Sequence, residues 1–278
     1  MALPEATLER PPLPGLTAAP APGPALEVQS LSVSFGGLHA VDQLSFTVAP
    51  GIIKGIIGPN GAGKTTLFNA IAGVTAPTRG SVRLGGRDIT ALRPHQRAAL
   101  GLSRTFQNLQ LFPAMSVLEN VMVGAHPRLA GGWWSGLFGG ALAEERSAEA
   151  EAWRLLALLG LEVRAGTLAA DLGFADAKLL EIARAMASKP RLLLLDEPIA
   201  GVPLAEQNRI LEVIRAINAD GVTVVLVEHN MRVVMSACDE ILVMNHGKRL
   251  AEGRPAEVSR NPEVIRAYLG GEAAHAPA

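Results

Sequence analysis

The chain has 278 residues, 49% of them hydrophobic and 18% charged, with a formal net charge of −1. That is enough apolar material to bury the core of one α/β domain with a subdomain. The near-neutral balance excludes a global basic field for nucleic acid or acidic lipid, and a mean hydropathy of +0.25 hints that partners cover part of the surface. Cys238 is the single cysteine, so no internal disulfide forms, and a reducing interior is the simple reading. No stretch approaches the roughly 20 apolar residues of a membrane span. The N-terminus lacks a basic segment followed by an apolar core, so no ordinary secretory signal is expected and the chain reads as soluble or peripheral.

Residues 1–25 are rich in proline and alanine and poor in large apolar side chains, which predicts a disordered tail. From 26 to 35 apolar and polar residues alternate, as in a half-buried strand. Gly36 and Gly37 break it, a second strand follows around 44–48, and an apolar run at 51–57 makes a third. Two strands ahead of the third predict an antiparallel sheet flanking a parallel core.

Next comes Gly58-Pro59-Asn60-Gly61-Ala62-Gly63-Lys64-Thr65-Thr66, which fits G-x-x-x-x-G-K-[ST] between that strand and a helical run at 67–72. The glycines let the backbone curl so that several N–H groups face phosphate oxygens. The helix N-terminus adds partial positive charge at the same spot. Lys64 supplies a point charge to the β- and γ-phosphates, and the Thr65 hydroxyl suits Mg2+. Strand, Gly-rich turn and helix together predict a nucleotide-binding protein.

Residues 80–86 read as a short strand ending in a turn, and 94–100 as a short helix. After the segment 103–113, Ser116 is placed to cap a helix through 123, with Glu119 in capping-box position. Residues 124–142 carry Trp133-Trp134 and two glycine pairs, a flexible connection. The tryptophans read as packing within a helical subdomain, with contact to a partner or lipid as the alternative. Helices are expected over 144–159 and 175–188. The runs 191–195 and 222–227 look like buried parallel strands joined by a helix over 204–218, a βαβ unit. A hairpin at 240–244 and 248–251, turned at Asn245-His246-Gly247, and a helix over 262–269 complete the chain.

Four leucines at 192–195 lead into Asp196-Glu197-Pro198. The C-terminal end of such a strand opens onto the P-loop in doubly wound sheets. There Asp196 is placed to bind Mg2+, directly or through water, and Glu197 to act as general base on a water attacking the γ-phosphate. Val227-Glu228-His229 ends the next strand in the same way, and a histidine at that edge can hydrogen-bond a γ-phosphate.

The ordered set of P-loop 58–66, Gln107 after a strand, Asp196-Glu197 after the leucine run and Glu228-His229 resembles the nucleotide-binding subunit of an ABC transporter. The resemblance covers about residues 26–270. Within that family, 101–107 with Leu111-Phe112, and the ending 262–270, are similar to ATPase subunits of branched-chain amino acid importers. The resemblance implies an α/β fold with a P-loop NTPase (ABC ATPase) core, a flanking antiparallel β-sheet and a helical subdomain at about 108–188, with a second disordered tail at 271–278. ATP and Mg2+ are the implied cofactors. Gly58, Asn60, Gly61, Gly63, Lys64, Thr65 and Thr66 cradle the phosphates, and Phe35 falls where an aromatic stacks on adenine. Gln107 links the γ-phosphate and Mg2+ to the membrane subunits, Glu197 is the base and His229 the switch histidine. Thr65, Gln107 and Asp196 are the implied metal ligands.

Implied partners are integral-membrane transporter subunits, a second ABC ATPase subunit and, indirectly, a periplasmic substrate-binding protein, with no nucleic acid. The implied place is the cytoplasmic face of the inner or plasma membrane. The implied function is ATP hydrolysis that energises import of branched-chain amino acids or related small amides and carboxylates. Lipopolysaccharide export and a poorly hydrolysing regulatory subunit are the alternatives.

Two places depart from the family pattern. The signature, typically Leu-Ser-Gly-Gly-Gln or Leu-Ser-Tyr-Gly-Gln, reads Leu172-Gly173-Phe174-Ala175-Asp176 here. A serine hydroxyl is missing at Gly173, a methyl group stands at Ala175, and Asp176 is expected to bring negative charge towards an anionic ligand. Pro203 stands where Asp or Asn is usual, losing a polar side chain and a backbone donor. An intact P-loop half and an altered signature half predict a heterodimer with unequal ATP sites.

Overall fold

The structure is a computed structural model that describes residues 23–105, 109–125 and 140–273, with backbone alone at 140–145 and 269–273. Residues 1–22 of the tail expected at 1–25, Gln107, Trp133-Trp134 and residues 274–278 of the tail expected at 271–278 lie outside the described residues.

Two sheets form. The first has the order β2-β1-β4-β5, from β1 (Leu26–Phe35), β2 (Leu38–Val48), β4 (Arg79–Leu84) and β5 (Arg87–Asp88), all antiparallel. The second has the order β10-β9-β3-β8-β7-β6. Its parallel members are β3 (Ile53–Ile57), β6 (Leu102–Arg104), β7 (Leu192–Asp196), β8 (Thr223–Val227) and β9 (Glu240–Asn245); β10 (Lys248–Gly253) runs antiparallel at the edge. The antiparallel flank on a parallel core is thus present.

β2 begins six positions earlier than the alternation predicts, at Leu38 rather than 44. Gln43 adopts a left-handed backbone (φ 49°) and the register shifts between Leu31 and Val33. That bulge interrupts the two-residue period that marks a strand.

Helix α1 (Lys64–Ala72) follows the P-loop, and α2 (Pro94–Ala99) precedes β6. Next come α3 (Val117–Gly124), α4 (Gly140–Leu159) and α5 (Phe174–Met186), which pack on one another beside the parallel sheet. Gly124 allows the close approach of α3 to α5, since a Cβ there would lie 2.1 Å from Arg184 O. Ser116 caps α3 as expected: its hydroxyl accepts from Glu119 N at 3.2 Å, and Glu119 Oε2 accepts from Ser116 N at 2.7 Å. Helices α6 (Leu204–Ala219), α7 (Met231–Ala237), α8 (Pro255–Val258) and α9 (Pro262–Ala273) complete the chain.

β3, β7 and β8 are buried at every position, which is why their sequences run without alternation. One apolar core lies between the two sheets around α1, with Phe68, Leu67, Val82 and Leu194. The other lies on the far face of the parallel sheet under α3 to α7, with Leu155, Leu180, Leu195 and Ile214. Lys54 ties the layers together: its buried ammonium donates to Thr47 O at 2.8 Å and pairs with Glu240 at 2.9 Å and Glu252 at 2.5 Å. Among the described residues no helix is long and apolar enough to cross a membrane.

Candidate functional site

The P-loop turns between buried β3 and α1. Two of its glycines are sterically required. Gly63 sits at φ 95°, and a Cβ there would lie 2.1 Å from Ala40 O; at Gly58 a Cβ would lie 2.2 Å from Met244 O. Gly63 is also the N-cap of α1 and makes no side-chain cap hydrogen bond, so the first amides of the helix are open to an anion. Thr65 is exposed on that first turn, Thr66 half-buried beside it, and Asn60 and Gly61 lie exposed at the bend. Lys64 folds back over its own loop, donating to Gly58 O at 2.7 Å and Pro59 O at 3.0 Å. Burial lowers its pKa, while Glu197 and Asp196 oppose that shift through their charges. The three charged groups therefore share one site.

Asp196 ends β7 and is shielded from solvent. Its backbone N–H donates to Thr105 Oγ1 at 3.2 Å. Glu197 follows in a left-handed conformation (φ 49°), its N–H donating to Val227 O at 3.0 Å. His229 lies just beyond β8, largely exposed, with Nδ1 3.9 Å from Glu197 Oε1. Parallel pairing of β3, β7 and β8 places these groups together, because all three strands end on the same side of the sheet.

Phe35 stands at the tip of the β1–β2 hairpin and is 54% exposed, free to offer a ring face. The hairpin lies against the P-loop: Ala40 O meets Gly63, and Gly247 joins the two by donating to Ala62 O and accepting from Asp42 N. Gln107 lies outside the described residues, so its place at the site is not part of this geometry.

Three residues near these groups have no role assigned in the sequence reading. Arg104, on β6, pairs with Asp196 Oδ2 at 2.9 Å through Nη2 and donates to Asn69 Oδ1 of α1 at 2.5 Å through Nη1. Glu228 is fully buried and accepts from Ile199 N at 3.2 Å. Tyr268 of α9 carries a buried hydroxyl, and burial pushes its pKa up to about 12. A lone arginine or tyrosine carries no motif; the paired acid at Glu228-His229 was the available signal.

Residues 172–176 differ from expectation in two respects. The Asp176 carboxylate does not stand free towards a ligand: Arg209 Nη1 is 2.8 Å from Oδ1 and Arg164 Nε 3.0 Å from Oδ2. Ala175 is buried in the core, so its methyl group turns inward. Gly173 is the N-cap of α5 with open space where a side chain would stand and no side-chain cap bond. Phe174 packs over Gly201, whose φ is 76°, in the loop after Glu197. Pro203 is the N-cap of α6 and offers no side-chain bond.

With Asn60, Gly61, Thr65 and His229 exposed, the site has an open face. One cleft of about 330 Å3 lies between α4, α5 and α6, lined by Arg164, Asp176 and Arg209 among others. Another of about 250 Å3 is lined by Arg104, Phe112, Val123, Gly124, Glu181 and Arg184. The Thr65 hydroxyl on the first turn of α1 and the Asp196 carboxylate at the end of β7 are oxygen donors of the kind that suits Mg2+, which takes few protein ligands and keeps phosphate and water oxygens.

A family model described as ABC transporter matches residues 41–200. A second, described as branched-chain amino acid ATP-binding cassette transporter, matches residues 248–274. The chain is 42% identical over 250 residues to the high-affinity branched-chain amino acid transport ATP-binding protein LivG of Salmonella typhimurium, covering 89% of this chain and 98% of that protein. It is 36% identical to the lipopolysaccharide export system ATP-binding protein LptB of Acidithiobacillus ferridurans, covering 88% and 96% of the two chains. Among solved structures, the ADP conformation of an ATP-binding cassette from an ABC transporter superposes with a TM-score of 0.79 at 32% identity, covering 89% of this chain and 99% of that one.

Proposed function

The chain belongs to the ATP-binding family of ABC transporters, and we propose that it is the ATP-hydrolysing subunit of an importer for branched-chain amino acids or related small amides and carboxylates. The convergence of Lys64, Asp196, Glu197 and His229 on the open helix N-terminus of α1 carries this reading. The match of 248–274 to the branched-chain amino acid model supports the importer branch over lipopolysaccharide export. The approach of His229 Nδ1 to Glu197 Oε1, 3.9 Å, supports hydrolysis over a purely regulatory role.

In this reading the P-loop amides and Lys64 hold the phosphates of ATP, and Phe35 stacks on the adenine. Glu197 takes a proton from the attacking water, while His229 donates towards the γ-phosphate. Thr65, Asp196 and Gln107 would hold Mg2+, which would supply charge neutralisation at the phosphates. The helices α3, α4 and α5 make up the helical subdomain, about 108–188, within a domain spanning about 26–270.

The open face requires a second wall, which we assign to another ATPase subunit. This chain's own α5 offers that subunit backbone N–H groups at Gly173 without a serine hydroxyl, and its Asp176 charge is already balanced by two arginines. The pair is a heterodimer with unequal sites, and the Lys64–Glu197 site is completed by the partner's signature. We assign the membrane subunits to the cleft lined by Phe112, Val123 and Arg184, with the chain on the cytoplasmic face of the membrane. A substrate-binding protein on the far side acts through those subunits.

Reconstituting the chain with its membrane subunits and substrate-binding protein tests the reading. Leucine, isoleucine or valine should stimulate ATP hydrolysis. Stimulation confined to lipopolysaccharide would replace the importer by the exporter.

A further inference from the structure

Glu228 precedes His229, yet its side chain turns away from the open site and is completely shielded from solvent. Oε1 accepts from Ile199 N at 3.2 Å. Oε2 is buried without a hydrogen-bond partner among the described residues, and His229 Nδ1 at 4.0 Å is beyond hydrogen-bond reach. The titratable groups that face it are His229, Glu197 after β7, and Cys238 after α7. No lysine or arginine stands among them. An ionised carboxylate with one oxygen unpartnered and no lysine or arginine beside it is costly to bury, which favours the neutral form. Burial raises the Glu228 pKa more than the Ile199 amide and His229 lower it.

The amide that Glu228 holds is not an arbitrary one. Glu197 O accepts from Ala200 N at 3.1 Å, closing a tight turn over Glu197-Pro198-Ile199-Ala200. Pro198 has no N–H, and the Ile199 N–H goes to Glu228. At the other end, Glu197 N donates to Val227 O. Two consecutive residues leaving β8 thus fasten both ends of the turn that keeps Glu197 left-handed, a conformation a residue with a Cβ holds only under constraint. A neutral acid can accept this bond without placing a second negative charge behind Glu197, where like charge would oppose its ionised form.

We propose that Glu228, in its protonated form, is a positioning residue that pins the Ile199 amide and so fixes the direction of the Glu197 carboxylate. This rests on Glu197 as the general base. Glutamine has the same shape and accepts the same bond without titrating, whereas alanine removes it.

In the assembled transporter, Glu228→Ala should lower kcat about tenfold or more, since misplacing a reacting group by about 1 Å can cost 10²-fold. KM for ATP should stay within about twofold, because the P-loop is untouched. Glu228→Gln should restore most of the lost kcat. Infrared spectra of the purified full chain give a readout independent of turnover. A carbonyl band of a buried neutral carboxylic acid should be present at neutral pH, persist in Glu197→Gln and vanish in Glu228→Gln. Absence of that band, or glutamine performing no better than alanine, overturns the proposal. If Glu197→Gln itself keeps full turnover, the base assignment fails and takes the positioning role with it, while the infrared band still decides the state of Glu228.

Discussion

Arg104 and Asp196 form a buried ion pair, Nη2 to Oδ2 at 2.9 Å, with side chains only 8% and 1% exposed. The same guanidinium reaches Asn69 on the P-loop helix, so one cation joins β6, α1 and the acidic end of β7. Removing one partner of a buried pair strands the other charge away from water, which is far costlier than the pair's net worth. Arg104→Met should therefore destabilise the nucleotide-free chain by about 3 kcal/mol in urea unfolding. The Arg104→Met/Asp196→Asn double variant should lose less than the two single changes added together. Additive losses would mean that the pair is not coupled.

Gly63 allows no side chain. With φ at 95° and a Cβ position 2.1 Å from Ala40 O, Gly63→Ala forces either the hairpin or the loop to move. A loss of about 2–3 kcal/mol in thermal or urea unfolding is expected, together with loss of ATP binding followed by a fluorescent analogue. Gly61→Ala, at φ 79° but with open space around it, should cost less. Equal effects at both positions would show that backbone conformation, rather than the Ala40 contact, sets the requirement.

Asp176 is expected to be coupled to Arg209. Arg209 is 39% exposed in its side chain, so the double-mutant coupling energy should be modest, about 1 kcal/mol or less after solvent screening. It should shrink in high salt. A coupling near zero at low salt would return the Asp176 charge to the signature face.

Stability should depend on pH through Glu228. Its folded pKa is raised above the ordinary 4.5 by burial, so the folded state binds the proton more tightly than the unfolded chain. Its contribution is fully present below about 4.5 and falls as pH rises through the folded value. Glu228→Gln should remove that decline, making urea midpoints flatter on the alkaline side. An unchanged pH profile in the variant would mean that Glu228 is ionised throughout.

What the sequence reveals of this molecule is what lies close together along the chain. The P-loop from Gly58 to Thr66, the Leu192–Asp196 run and the Ser116–Glu119 cap are contiguous, and each carries its chemistry in a few neighbouring letters. The convergence of the P-loop and the Leu192–Asp196 run also follows from sequence, since parallel strands open at one end. Arg104 and Asp196 are 92 positions apart, and no local pattern announces their pairing. Asp176 shows the same blindness in the other direction. Read alone, it is a stray negative charge in a phosphate-binding turn; its Arg209 counter-charge lies 33 positions on. The start of β2 was hidden for a local reason, the bulge at Gln43. Glu228 was visible as a letter, but its inward turn and its bond to Ile199 belong to the packing of two loops.

Turnover by Glu197 in the assembled transporter tests the central claim most directly. Glu197→Gln should reduce ATP hydrolysis by about 10²–10⁴-fold, the range a general base contributes, while ATP binding to the Lys64 loop is retained. Hydrolysis within about twofold of the unaltered complex, with activity lost only when the partner ATPase's equivalent acid is replaced, would contradict the account.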